Sequence, residues 1–118
     1  MATYSISGFR RDVRDILGDA GADRRHTDES IDLAVVDGVL HMRAVRPDSR
    51  YVNGVLKDYD FPSAPSALES FVFDMDPRWR TGVVYYAAAR RYEADVVDAV
   101  NRELASAFFK QADAVFAS

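Results

Sequence analysis

The chain contains no cysteine. Disulfide bridges and thiolate metal sites are therefore excluded. Histidine is nearly absent too: only His26 and His41 occur, and neither stands at metal-ligand spacing from a second histidine or a paired carboxylate. Both are expected in structural or solvated roles. The six glycines are scattered, so no Gly-rich loop is formed to cradle a phosphate, and no G-x-S-x-G elbow presents a serine. No apolar run approaches the ~20 residues that cross a bilayer. The opening stretch, MATYSISGFRRD, has no apolar signal core. A soluble product made in the cytoplasm is expected, with no membrane association.

Positive charge is in deficit. The formal net charge is −4, which argues against a surface built to bind phosphate backbones. Arginine greatly outnumbers lysine and Asp outnumbers Glu, a bias that a GC-rich coding sequence produces by itself, so arginine content alone carries little weight. Two acidic pairs, Asp58–Asp60 and Asp74–Asp76, superficially resemble metal ligands. Each lacks the rest of a calcium loop. No metal and no cofactor is expected.

What remains is a globular balance: 118 residues, 48% hydrophobic and 29% charged. That length supports one core, so residues 1–118 are read as one helical domain. Ser5 to Leu17 carries Ile6, Phe9, Val13, Ile16 and Leu17 on one helical face, with Ser5 as cap and Gly18 as stop. Thr27 to Val45 predicts a second, central helix with Thr27 as cap. Ile31, Val35, Val39 and Met42 form its stripe, widened by Leu33, Val36 and Leu40. Gly38 inside it suggests close approach of a neighbouring helix. Asp76-Pro77 starts a third helix that ends near Tyr92, and a fourth covers about Val96 to Phe116. The fourth has an expected seam of Val97, Val100, Leu104, Phe108 (or Ala107), Gln111 and Val115. With no Gly or Pro between them, these two could form a rod of about 60 Å; a hairpin at Glu93–Asp95, with Asp95 as cap, is the favoured arrangement.

The stretch from Arg50 to Met75 is the least regular. Asn53-Gly54 signals a turn, Pro62 and Pro65 break structure, and Ser70 to Met75 suits a short strand. A long loop or short β-hairpin arm is expected between helices two and three. The fold class is thus mainly α, a small four-helix domain with such an arm. Arg24-Arg25 and Arg90-Arg91 are candidate partner-binding pairs, although local ion pairing, for instance with Glu93 or Asp95, is the simpler expectation. Of Tyr85 and Tyr86, one is expected in the core and the other outside. A helix-turn-helix is disfavoured: the first connection is too long, and the would-be recognition helix opens with Asp28, Glu29 and Asp32.

The layout resembles the head–tail adaptor, or head-completion connector, proteins of tailed bacteriophages and related gene-transfer particles. FRRDVRDILGD (Phe9–Asp19) is similar to that family's opening helix with its L-x-D close. TDESIDLAVVDGVLHMRAVRPDS (Thr27–Ser49) is similar to its second helix, which begins T/S-D-E and ends in RPD. DPRWRTGVVYYAAARRYEADVVDAVNRELASAFFKQADAVF (Asp76–Phe116) is similar to its closing pair. Gly82 departs from the alanine usual there, and His41 lies in a segment often rich in Asn and Gln.

The resemblance implies assembly rather than catalysis. Subunits would form a homo-oligomeric ring, commonly dodecameric, in the virion neck below the portal protein. That ring would receive the next neck or tail-completion protein, while genomic DNA passes through without sequence-specific binding. On that reading the candidate interface residues are Arg46, Tyr51, Tyr59, Phe61, Tyr86, Arg90, Arg91 and Phe109. The competing reading is a small helical DNA-binding regulator or antitoxin-like module.

Overall fold

The computed structural model describes residues 2–18, 26–57, 60–94 and 99–118. Its first element is a strand that the helix periodicity did not announce. Strand β1 (Ala2–Ser5) pairs antiparallel with β4 (Val72–Met75), setting Ala2 opposite Met75 and Ser5 opposite Val72. Ser5 ends this strand and also caps helix α1 (Ile6–Leu17), its Oγ accepting from the Gly8 N–H at 3.2 Å. Gly18 terminates α1 with φ 63°, the left-handed conformation that glycine adopts without a Cβ penalty.

Helix α2 (Asp28–Val45) starts where expected. The Thr27 Oγ1 accepts from the Ser30 N–H at 3.1 Å, and Asp28 and Glu29 occupy the positive end of the helix dipole. Its Ile31, Val35, Val39 and Met42 are all buried. The widened stripe needs correction, because Leu33 and Leu40 face outward and only Val36 adds to the core. At about 100° per residue both leucines lie roughly opposite the buried stripe. Gly38 has the expected cause: a Cβ there would sit 3.1 Å from the Val83 carbonyl oxygen of the helix packed against it.

After a 3-10 turn at Pro47–Arg50, the chain forms a small hairpin from β2 (Tyr51–Val52) and β3 (Val55–Leu56). Asn53 and Gly54 take φ 51° and 78°, the two successive left-handed residues of a type I′ turn, whose twist matches the strands. The expected arm is therefore a hairpin at its start and something else afterwards. Phe61 packs on Phe71 and Phe73 at 5.2 and 5.7 Å, and a short helix α3 (Pro65–Glu69) buries Leu68. Burial of these apolar groups holds the second half of the segment against the core, and β4 follows.

The Asp76 carboxylate accepts from the Arg78 N–H at 3.0 Å, and Pro77 opens a 3-10 turn (Pro77–Trp79) that runs into α4 (Arg80–Ala94). Helix α5 (Ala99–Ala117) lies antiparallel against α4: Tyr92 stacks on Phe108, Tyr86 meets Phe109, and Gly82 faces Phe116. The longest dimension is 44 Å, which also rules out the rod. The expected Asp95 cap, like the first loop with Arg24-Arg25, lies outside the described residues.

The α5 seam is rotated from the expected one. Asn101, Ala105, Ala112 and Phe116 are buried, and Leu104, Phe108 and Val115 half-buried, while Val100 and Gln111 are exposed. Alanines explain the rotation. Ala87 and Ala88 on α4 and Ala105 and Ala112 on α5 are buried, and small side chains let two helices approach closely where a seam of large residues would hold them apart. The fold is mainly α, as expected: four long helices surround one apolar cluster, with β1–β4 along one side.

Candidate interaction surface

The described surface carries two groups of large apolar side chains that the fold leaves uncovered. One is the hairpin, where Tyr51, Val55 and Leu56 are 52%, 56% and 48% exposed. Tyr51 and Leu56 are directly paired across the strands, so they share one face, and Val55 lies on the other. The Lys57 N–H donates to the Arg50 carbonyl at 2.8 Å and closes the hairpin, while Arg43 on α2 donates to the Lys57 carbonyl at 2.8 Å. The hairpin is thus held at its base, with Tyr51, Val55 and Leu56 bare.

The second group is the outer face of α2. Leu33 and Leu40 are 48% and 49% exposed. They stand on a strip with Glu29, Asp37 and Ala44, at steps of three and four residues. Beside Leu33, between α2 and the end of α4, lies a hollow of about 250 Å³ whose lining includes Ala34, Asp37, Arg90 and Glu93.

Of the residues named from sequence, the structure puts few on a free surface. Tyr51 is exposed as expected. Arg90 is exposed but ion-paired, 3.6 Å from Asp37 and 3.3 Å from Glu93, so local pairing is its observed role. Arg91 donates from Nε to His26 Nδ1 at 3.1 Å; a guanidinium is never an acceptor, so the His26 proton on this pair sits on Nε2. Arg46 pairs with Asp48 through two hydrogen bonds of 3.1 and 2.9 Å and lies over the Trp79 ring at 5.3 Å. That guanidinium holds the Asp48 carboxyl below the usual carboxylate range.

Phe61, Tyr86 and Phe109 are half-buried, each packed on other aromatic rings of the same chain. Tyr86 stacks on His41 at 4.6 Å and meets Phe109 at 5.3 Å, and burial pushes its phenol pKa up. Tyr85 is also half-buried, against Phe108 at 5.6 Å, so neither tyrosine of the pair is the free one. Tyr59 lies outside the described residues, as does Asp58.

Two of the acids that open α2, Asp28 and Asp32, are paired with arginines of α1. Arg10 grips Asp32 with two 2.8 Å hydrogen bonds, and this pairing raises the Arg10 pKa. Arg14 pairs with Asp28 and donates to the His26 carbonyl at 3.1 Å. These contacts fasten α1 to α2. His41 lies 3.1 Å from Asp113 through Nε2, a link between α2 and α5. Among the described residues no three His, Cys, Asp or Glu side chains come together to hold a metal ion. Among the described residues no helix is long and apolar enough to cross a membrane.

No family model matches this chain, and no curated protein or solved structure matches it either.

Sequence reasoning missed Leu33 and Leu40 by assigning them to the core. The signal was present: they are seven residues apart, on the face that also carries Glu29 and Asp37.

Proposed function

We propose that this chain is a structural assembly protein of a tailed-bacteriophage or gene-transfer-particle neck. Copies form a ring, dodecameric as is common for such connectors, between the portal protein of the DNA-filled head and the next neck or tail-completion protein. Genomic DNA passes through the ring without sequence-specific contact, and the molecule performs no catalysis. The observation that carries this reading is the pairing of two bare apolar surfaces on one small chain, the β2–β3 hairpin and the outer face of α2. Completing the burial of a half-exposed Leu, Val or Tyr is worth about 1 kcal/mol at ~25 cal/mol per Å². Several such residues grouped on two faces supply a driving force for association, which scattered ones would not.

The likeness of Phe9–Asp19, Thr27–Ser49 and Asp76–Phe116 to the connector family supports the setting, and the exposed patches support the mode of action. The test is to recover the tagged chain from particle-producing cells. Its presence in DNA-filled particles, bound beside the portal, is the expected result. Exclusive recovery outside particles, or on empty heads alone, would overturn the assignment.

A further inference from the structure

We propose that copies of this chain associate head to tail, the β2–β3 hairpin of one copy seating on the outer face of α2 of the next. The proposal rests on the assembly role above and names the two surfaces that role would use.

Three observations converge. First, the chain's own hairpin does not cover its own strip. Arg43 holds the hairpin base through the Lys57 carbonyl, and Leu33 lies about 15 Å further up α2 at 1.5 Å per residue. Leu33 and Leu40 stay half exposed while the hairpin's Tyr51, Val55 and Leu56 stay bare as well. Second, one surface sets Tyr51 and Leu56 side by side on a two-stranded hairpin, and on the other Leu33 borders the 250 Å³ hollow between α2 and α4. Third, the charges are opposite. From Arg50 to Lys57 the hairpin carries two cationic residues and no acid; the next acids, Asp58 and Asp60, come after the Arg50–Lys57 closure. The outward strip of α2 contributes Glu29 and Asp37. Arg90 offsets Asp37 at 3.6 Å, and Arg90 and Arg91 balance Asp37 and Glu93 around the hollow. The opposite-sign pair is therefore exposed Lys57 of the hairpin with exposed Glu29 of the strip.

The two surfaces differ, one being a two-stranded hairpin and the other a helix face. A contact between them is heterologous, so it propagates, and it gives a ring when the rotation between copies closes. A contact of α2 with α2, by contrast, would be two-fold and would stop at a dimer.

The absence of cysteine makes a direct test available. Leu33→Cys and Leu56→Cys each replace an exposed side chain, and far-ultraviolet circular dichroism checks that each variant keeps its helices. Under mild oxidation of the full chain, neither variant alone should give a disulfide dimer, a mixture should give the mixed dimer, and the double variant should give a ladder of higher species. Leu33→Cys cross-linking to itself as well as it does to Leu56→Cys would replace this contact by a two-fold one and overturn the proposal. So would the absence of any mixed product at high protein concentration. Failure of the chain to enter particles, with the mixed dimer still forming, would remove the neck assignment and leave this contact standing.

Discussion

Gly82 is packed so closely by α5 that adding a single methyl group there has a measurable consequence. A Cβ built on Gly82 would lie 2.5 Å from Cε1 of Phe116, 2.9 Å from Cζ and 3.0 Å from Cδ1. Ordinary carbon contacts are about 3.5–4.0 Å, so the ring must withdraw by about 1 Å. It has little room to do so: Phe116 is buried and tilted against His41 at 5.9 Å, and His41 is itself stacked on Tyr86. Overpacking of this kind costs about 1–3 kcal/mol. Replacing glycine by alanine inside a helix returns about 1 kcal/mol. Gly82→Ala should therefore destabilise the protein by about 1 kcal/mol net.

The sign should reverse once the ring is gone. Phe116→Ala alone costs about 3–5 kcal/mol as a buried aromatic truncation. In that background Gly82→Ala keeps its helix gain and loses its clash, so it should stabilise by about 1 kcal/mol. The coupling between the two sites is then about 2 kcal/mol, within the range for residues in direct contact. Urea unfolding followed by circular dichroism and by the fluorescence of Trp79 measures all four corners of the cycle. If Gly82→Ala stabilises the protein in both backgrounds, the close packing of α5 on α4 at this point is wrong.

Four further outcomes are expected. Asp32→Ala should cost about 3 kcal/mol, because it strands the Arg10 guanidinium, only 13% exposed, without its two-bond partner; a loss below 1 kcal/mol in urea unfolding would mean that Arg10 finds full compensation at Asp28 and Glu69. Tyr86 has its folded pKa raised above the ordinary value of 10.0 by burial, so the unfolded chain ionises first and stability should fall as pH rises past 10; Tyr86→Phe should flatten that alkaline slope, and an unchanged slope would count against the buried phenol. Ser49 buries its hydroxyl with no hydrogen-bond partner among the described residues, so Ser49→Ala should leave stability unchanged or raise it by up to about 1 kcal/mol, and a clear drop in melting temperature would reveal a missing partner. Replacing Tyr51–Leu56 by a short Gly-Ser linker should preserve the helical spectrum and the melting curve yet abolish self-association, because the core anchors Phe61 and Leu68 lie beyond the excised residues; a collapse of the helical signal would show that the hairpin belongs to the folding unit.

Local chemistry made much of this fold legible. Ser5 and Thr27 are caps because a side-chain oxygen satisfies an otherwise unpaired N–H within the same turn. Gly18 and the Asn53-Gly54 pair are stops and turns because of the left-handed angles those residues adopt. The stripe Ile31, Val35, Val39 and Met42 follows from helical period alone. Such features depend on residues three or four apart, and a linear sequence contains all of them.

What could not be read involves partners distant in the chain. The β1–β4 pairing joins residues about seventy positions apart, and nothing in MATYS specifies the strand it meets. The α5 seam was misplaced because apolar size was taken as the marker of the interface, whereas the helices meet over alanines whose burial depends on the opposite helix being equally small. The packing of Phe61 on Phe73 and of Phe109 on Tyr86 was equally hidden, because only the folded chain brings those rings together. The candidate surface divides the same way. Tyr51 was evident beside a turn, but the outward strip of α2 emerged only when the core had taken the opposite face of that helix.

Thus the sequence by itself determined the helical segments, their caps, the hairpin turn and the lack of thiol chemistry, since each rests on backbone preferences or residue types within a few positions. The tertiary structure decided which apolar side chains are covered and which are left bare, because burial is a property of two surfaces meeting and one-dimensional order specifies only one of them at a time.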